Sequence, residues 1–136
     1  MDIVVTHAQG RVPVVVLRPS GDLDASTYRA LIAKAQEVYN DGARNILLDL
    51  SDVPYMSSSG LVALHRMTVL LRGQDAAEPS SGWEAMRAIR RDLDSGPLAN
   101  FKLLNPRPDV SQALDISGFA RFLEVHADFQ TAIDSF

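Results

Sequence analysis

The segment Asn45-Ile-Leu-Leu-Asp-Leu50, followed by Ser51-Asp-Val-Pro-Tyr-Met-Ser-Ser-Ser-Gly60, decides the fold of this chain. Its first part is a continuous apolar run that is too short for a helix, and such runs are typical of strands buried on both faces of a sheet. After Gly60, Leu61, Leu64 and Leu71 recur at helical spacing and predict a helix. The serine cluster therefore lies where a buried strand passes into a helix.

The residues before this strand predict a β-hairpin and a crossover helix. Ile3–Thr6 and Val12–Leu17 are rich in β-branched residues, and residues 9–11 between them form a turn signal. Six apolar residues at spacings of three and four then predict a helix that covers the sheet and ends at residues 40–42: Tyr28, Leu31, Ile32, Ala35, Val38 and Tyr39. A strand reached through such a helix is expected to lie parallel to the second strand.

The second half of the chain continues the alternation after an interruption. We interpret residues of about 74–99 as an insertion that contains a short amphipathic helix within Trp83–Leu93. Four further elements are predicted in the order strand, helix, strand, helix: Phe101–Leu104, Pro108–Ile116, Phe122–Val125 and Asp128–Phe136. The expected fold is one α/β domain over residues 1–136, with a mostly parallel sheet of four to five strands.

Composition excludes several classes of function. The chain has 136 residues, a formal net charge of -4 and no cysteine. An acidic protein is a poor binder of nucleic acid or anionic membrane, because those surfaces require a basic patch. Without thiols there is neither a disulfide nor a thiolate metal site, and no stretch resembles a secretion signal or a membrane span. We therefore expect a cytoplasmic protein without membrane insertion.

The serine cluster suits a phosphorylation switch. We expect Ser58 to cap an exposed helix start, where a helix N-terminus tolerates negative charge. A phosphate would add about -1.5 to -2 charges. Pro54-Tyr-Met56, just before the serines, is expected to add exposed apolar surface to the loop. If an apolar docking face surrounds the cluster, that charge would have to be desolvated on binding and would oppose association.

Three segments together resemble the STAS domain of bacterial anti-sigma-factor antagonists: Gly21-Asp-Leu-Asp24, Asn45-Ile-Leu-Leu-Asp-Leu-Ser51 and Tyr55-Met-Ser-Ser-Ser-Gly-Leu61. The resemblance implies the STAS fold and partner switching in transcription regulation. In that family the antagonist binds a serine kinase that also sequesters a sigma factor. Phosphorylation by the kinase switches the antagonist off, and a phosphatase resets it. The resemblance implies no cofactor and no enzymatic activity in this chain.

The same resemblance assigns roles to individual residues. The family's phosphoacceptor falls on Ser58, and Ser57 stands where the family motif has aspartate, although serine can also cap a helix. Ser57 and Ser59 are alternative acceptors. The expected partner-binding residues are Gly21, Asp22, Asp24, Tyr55, Met56, Gly60 and Leu61. For Asp24, a role in turn and cap chemistry explains the residue equally well.

Other functions fit the sequence less well. A serine hydrolase could draw on Ser58 with His65 or His126, but Met56 stands where a nucleophile elbow has glycine. A phosphoaspartate receiver could use Asp49 or Asp52, yet the chain lacks the acidic pair expected after the first strand. Metal binding is not supported, because the three histidines show no ligand spacing.

Two alternatives remain open from the sequence alone. The protein could be a STAS scaffold or accessory subunit that is never phosphorylated, as in stressosome-like or lipid-transport complexes. It could also form a homodimer.

Overall fold

The computed structural model describes residues 1–73 and 98–136, which form a mixed sheet with helices on both faces. Within these residues the sheet has five strands in the order β1-β2-β3-β4-β5. The strands are β1 (Asp2–Gln9), β2 (Pro13–Ser20), β3 (Ile46–Asp49), β4 (Phe101–Leu104) and β5 (Val125–His126). The helices are α1 (Tyr28–Asn40), α2 (Ser58–Leu71), α3 (Pro108–Ser117), α4 (Phe119–Phe122) and α5 (Phe129–Asp134).

The pairing of the strands confirms the predicted mostly parallel sheet. β1 and β2 form the antiparallel hairpin, with register from Asp2 opposite Ser20 to Gln9 opposite Pro13. The remaining pairs, β2 with β3, β3 with β4 and β4 with β5, are all parallel. Pro13 is the first residue of its strand, a position that tolerates the missing amide donor. The predicted insertion at about 74–99 lies almost wholly outside the described residues.

The larger hydrophobic core lies between the sheet and helices α1 to α4. Side chains alternate along each strand, so Val15 and Leu17 of β2 enter this core whereas Val14 and Val16 lie on the opposite face. Leu31, in the first turn of α1, is fully buried. Because both faces of these strands are covered, Val14–Leu17 of β2 and Ile46–Leu48 of β3 are continuous apolar runs.

A smaller core lies beneath the short helix α5, on the second face of the sheet. Ala132 and Ile133 pack there, and a Cβ added to Gly10 would lie 2.8 Å from the Ile133 carbonyl oxygen. The side chain of Lys102 in β4 is only 3% exposed, and its Nζ forms an ion pair of 3.1 Å with Glu124. The same Nζ donates a 2.8 Å hydrogen bond to the Ser135 carbonyl oxygen. A buried lysine therefore fastens the end of α5 to the sheet.

The prediction of a strand at Phe122–Val125 is wrong in its bounds. Phe119 and Phe122 instead belong to the one-turn helix α4, and β5 follows it at Val125–His126. Both phenylalanines are buried, and their rings pack edge to face with centroids 6.1 Å apart. Packing against the core therefore overrides their strand propensity. The other three elements predicted after residue 100 are present with small shifts of their ends.

None of the helices within residues 1–73 and 98–136 combines the length and the apolar character that crossing a membrane requires.

Candidate functional site at the start of helix α2

The serine cluster occupies the junction between β3 and α2. Ser57 is the N-cap of α2, with extended backbone, and its hydroxyl accepts a hydrogen bond from the Ser59 amide at 3.2 Å. Ser58 is the first residue of the helix and is exposed to solvent. The expectation that Ser58 caps the helix is therefore wrong, because the chain turns into the helix one residue earlier. Its exposed position at the helix start is present.

Main-chain hydrogen bonds hold this junction against the loop that follows β2. The Leu23 amide donates to the Tyr55 carbonyl, and the Leu23 carbonyl accepts from the Ser57 amide, both at 2.9 Å. The Gly21 amide donates to the Asp52 carbonyl at 3.0 Å. The structure thus brings Gly21, Asp22 and Asp24 beside the segment that leads into the serines, although more than thirty residues separate them in sequence.

Two arginines that sequence analysis missed also reach this loop. Arg18, near the end of β2, forms an ion pair of 3.3 Å with Asp52, and both side chains are about half exposed. Arg107, just before α3, donates through Nε to the Ser51 carbonyl at 2.9 Å. No local pattern marks either residue, because the contacts join segments 34 and 56 residues apart in the chain. These two contacts thus join the ends of β2, β3 and β4 around residues 51–58, the serine loop.

Met56 and Gly60 lie inside the site and not on its surface. Met56 is 5% exposed, so the prediction that it adds exposed apolar surface is wrong. Its backbone bridges Leu23, and this pairing turns the side chain inward over Gly60. A Cβ on Gly60 would lie 2.5 Å from Met56 Cγ and 3.0 Å from the Leu23 carbonyl oxygen. These residues set the shape of the loop, whereas Tyr55 is 51% exposed at its surface.

The other predicted site residues lie around the loop that leads into α2. Gly21, Asp22 and Ser58 are exposed, and Ser59 and Leu61 are half-buried. Gly21 has a φ of 102°, in the left-handed region that favours glycine, as the chain leaves β2. The surface-accessible members of the predicted partner-binding set are thus the loop residues before α1, Tyr55, and part of Leu61.

Asp24 organises the turn that precedes α1. Its carboxylate accepts hydrogen bonds from the Ser26 hydroxyl at 2.7 Å and the Ser26 amide at 2.9 Å. These two bonds, with weaker ones from Thr27, hold the pKa of Asp24 below its ordinary value. Thr27 completes the turn, because its hydroxyl accepts from the Asp24 amide and donates to the Asp22 carbonyl. The turn role of Asp24 is therefore present, and its contact with a partner stays a prediction.

Within residues 1–73 and 98–136, the side chains that a hydrolase, a receiver domain or a metal site would need are not assembled around Ser58. His65 is buried and lies seven residues along α2 from Ser58, about 10 Å at the helical rise. His126 instead lies 3.4 Å from Glu124, under α5. Asp49 accepts a hydrogen bond from the Ser51 amide at 3.0 Å, as a turn residue does. Within the described part of the chain, no cluster of three or more histidine, aspartate or glutamate side chains is arranged to hold a metal ion.

These features define a class of small α/β domain with a mixed sheet. At the carboxyl ends of the parallel strands, a surface loop leads into a helix whose start is capped by a serine. The family model of the STAS domain matches residues 4–77, more than half of the chain, and the protein belongs to that family.

Solved structures share this fold. An anti-sigma factor antagonist from Mycobacterium paratuberculosis aligns with 97% of this chain and 92% of its own, with a TM-score of 0.64 and 19% identity. The unphosphorylated form of the anti-sigma factor antagonist SpoIIAA aligns with 98% of this chain and 94% of its own, with a TM-score of 0.60 and 23% identity. The Bacillus cell fate determinant SpoIIAA in its phosphorylated form gives 98% and 97% coverage, a TM-score of 0.54 and 20% identity. No curated protein matches the chain in sequence.

Proposed function

We propose that this protein is an anti-sigma-factor antagonist, which binds a serine-kinase anti-sigma factor in the cytoplasm and is switched off when the kinase phosphorylates Ser58. The observation that carries the proposal is the exposed Ser58 at the first position of α2, on a loop fastened to its neighbours. Membership of the STAS family and the likeness to anti-sigma factor antagonists support it. One of those relatives, SpoIIAA, has been solved in both unphosphorylated and phosphorylated forms.

The electrostatics of the loop explain how a phosphate would act as a switch. At a helix N-terminus the unpaired amides and the helix dipole favour an added anion, so a phosphate on Ser58 would leave the fold intact. Asp22, on the adjacent loop, is exposed and already negative. A partner that binds this surface while Ser58 carries a neutral hydroxyl would, after phosphorylation, have to desolvate a doubly charged phosphate. The phosphate thus opposes docking without unfolding the antagonist.

Ser57 stands where the family motif has aspartate, and this departure is compatible with the proposed switch. Its hydroxyl supplies the cap that an aspartate carboxylate would supply, as the 3.2 Å bond from the Ser59 amide shows. The substitution removes one fixed charge next to the acceptor. We therefore expect the cognate kinase to recognise this loop by contacts with Asp22 and Tyr55 and not by a charge at residue 57.

The first experiment identifies the acceptor. The purified protein is incubated with its cognate kinase and ATP, and the modified residue is located by mass spectrometry. Phosphate on Ser58 in the wild type and none in Ser58→Ala supports the proposal, with Ser57→Ala as the matched control that keeps the acceptor. Phosphate on Ser57 or Ser59 moves the acceptor, and unmodified protein after full kinase turnover contradicts the switch.

The second experiment separates a switch from a static scaffold. Binding of the kinase to Ser58→Asp and Ser58→Ala is measured by titration calorimetry. For a switch, the aspartate variant binds about tenfold more weakly or worse, whereas the alanine variant binds as the wild type does. Equal affinity of all three proteins would instead indicate a constitutive scaffold, and a phosphatase would then have no role in resetting the complex.

A further inference from the structure

The pairing of β1 with β2 determines which main-chain amides and carbonyls of β1 point to the outer edge of the sheet. The Val15 amide donates toward β3, to the Asn45 carbonyl. Because hydrogen-bonding direction alternates along a strand, Val14, Val16 and Arg18 of β2 bond toward β1. Their partners in the hairpin are the even-numbered residues Ala8, Thr6 and Val4. The odd-numbered residues of β1 therefore direct their amides and carbonyls away from β2, to the outside of the sheet: Ile3, Val5, His7 and Gln9.

Among the described residues, the length, regularity and sequence of this edge are not those by which proteins block strand pairing. In the part of the chain that the structure describes, β1 pairs only with β2. It is eight residues long and pairs without a bulge, and its sequence DIVVTHAQ contains neither proline nor lysine. Edges are ordinarily kept short, bulged or charged because a long, regular edge is a template for another strand. The opposite edge, β5, has only two residues and offers no comparable template.

We propose that β1 pairs with β1 of a second copy of this chain, in antiparallel orientation, to form a homodimer with one continuous sheet. This interface is separate from the Ser58 site and does not depend on the proposed function. A two-fold axis through Thr6 is the register that uses all four outward residues, because it sets Ile3 opposite Gln9 and Val5 opposite His7 of the second copy. This arrangement gives about eight main-chain hydrogen bonds.

The side chains of β1 are complementary to themselves in that register. On the second face of the sheet, Thr6 lies opposite Thr6 of the other copy, a pair that stabilises cross-strand contacts, and Val4 lies opposite Ala8. No like charges lie opposite one another within the four outward pairs. Charge therefore does not oppose self-association along this strand.

A groove beside the edge gives the second copy an apolar surface to cover. It has a volume of about 230 Å³, lies on the second face of the sheet, and includes exposed side chains of Val4 and Phe129, which are 43% and 44% exposed. Its lining is Val4, Thr6, Val16, Arg18, Asp49 and Phe129. A β1 strand placed alongside would bring Thr6 and Ala8 of the second copy to its rim, so apolar burial adds to the hydrogen bonds.

A pair of substitutions at His7 tests the edge itself. His7 is exposed and its amide points outward, so His7→Pro removes an edge donor while the ladder to β2 stays complete. His7→Thr is the matched control, because it keeps the amide. By analytical ultracentrifugation of the full chain, we expect a dimer for the wild type and His7→Thr, and dimerisation at least about tenfold weaker for His7→Pro. Circular dichroism checks that each variant is folded.

Cysteine cross-linking tests the register independently of any disruption. The chain contains no cysteine, so a single introduced thiol reports only on contact between copies. Facing residues at a non-hydrogen-bonded antiparallel position have Cα atoms about 4.5 Å apart, within disulfide range. Thr6→Cys should therefore oxidise to a covalent dimer. Val4→Cys should not, because the two copies of residue 4 would lie about 13 Å apart along the strands.

Three results would overturn the proposal. A wild-type protein that stays monomeric at high concentration has no such interface. Undiminished dimerisation of folded His7→Pro would place the contact elsewhere. Efficient cross-linking of Val4→Cys in place of Thr6→Cys would exclude the register centred on Thr6.

Discussion

At the scale of single residues, neighbouring serines at the start of α2 have separate physical roles. The Ser57 hydroxyl accepts from the Ser59 amide, whereas Ser58 is exposed. Ser57→Ala should lower the free energy of unfolding by about 1 kcal/mol, because an amide at the helix start loses its partner. Ser58→Ala should change it by less than about 0.5 kcal/mol. Urea denaturation measures both, and equal losses for the two variants would contradict the assignment of the cap.

Gly60 is a second residue whose role is set by contact distance. A methyl group there would meet Met56 Cγ at 2.5 Å and the Leu23 carbonyl at 3.0 Å. Gly60→Ala should therefore destabilise the protein by about 1–3 kcal/mol, as overpacking does. Ser59→Ala, one residue earlier, is the control and should be nearly neutral.

A double-mutant cycle tests the contact behind the Gly60 effect. If Met56 Cγ is the obstacle, Gly60→Ala should cost less when Met56 is already alanine. An unchanged cost in that background would show that the Leu23 backbone alone limits the space.

The serine loop shows what sequence could and could not provide at this scale. Serines at a strand-to-helix junction follow from local pattern, and so does a cap at the helix start. The burial of Met56 does not, because it depends on a backbone bridge to Leu23 from a distant loop. Arg18 and Arg107 were missed for the same reason, since their partners are fixed only by the tertiary fold.

At the scale of elements, two aspartates have a charged form that hydrogen bonds stabilise: Asp24 in the turn before α1 and Asp128 at the N-cap of α5. Asp24 accepts from Ser26 before α1, and Asp128 accepts from the Thr131 amide and hydroxyl at the start of α5. These hydrogen bonds lower the pKa of each carboxyl group below its ordinary value. A carboxylate with a lowered pKa in the folded state stabilises the fold above its unfolded pKa, and this stabilisation is lost as pH falls through the folded value.

Asp24→Asn tests this pH dependence without removing the acceptor oxygen. The variant should be less stable than the wild type at about pH 7, and the difference should shrink as the pH falls through the lowered pKa of Asp24, where the wild-type carboxylate takes up a proton. Urea unfolding at several pH values measures the difference. A gap that is constant across this range would mean that the charge of Asp24 contributes nothing to the turn.

Elements with a clear hydrophobic period were predictable, and those determined by packing were not. The hairpin, α1, β3 and α2 appear where their patterns place them. The region of α4 and β5 does not, because two aromatic side chains with strand propensity are drawn into a helical turn by the core. Short elements have few residues over which a period can be recognised, so tertiary contacts decide them.

At the scale of the whole molecule, Lys102 connects the sheet to its second layer. Its side chain is 3% exposed and joins Glu124 and the Ser135 carbonyl. Lys102→Met keeps the aliphatic length but leaves that carbonyl without its donor, so we expect a loss of about 1–3 kcal/mol in the free energy of unfolding.

Lys34→Met is the matched control for the Lys102 prediction. Lys34 forms an ion pair with Glu37 at 3.0 Å, but its side chain is 31% exposed and that of Glu37 is 61% exposed. The same substitution there should cost less than about 0.5 kcal/mol. Thermal or urea unfolding of both variants is the measurement, and similar losses would show that the buried lysine does not hold the layers together.

The bridge between Leu23 and the segment from Tyr55 to Ser57 consists of amide and carbonyl groups, which every residue type except proline supplies. The outward side chains at Asp22 and Tyr55 can consequently change over evolutionary time while the position of the Ser58 backbone stays constant. On the proposed function, duplicated copies of such a gene can therefore diverge in the partners that they bind without any change of fold.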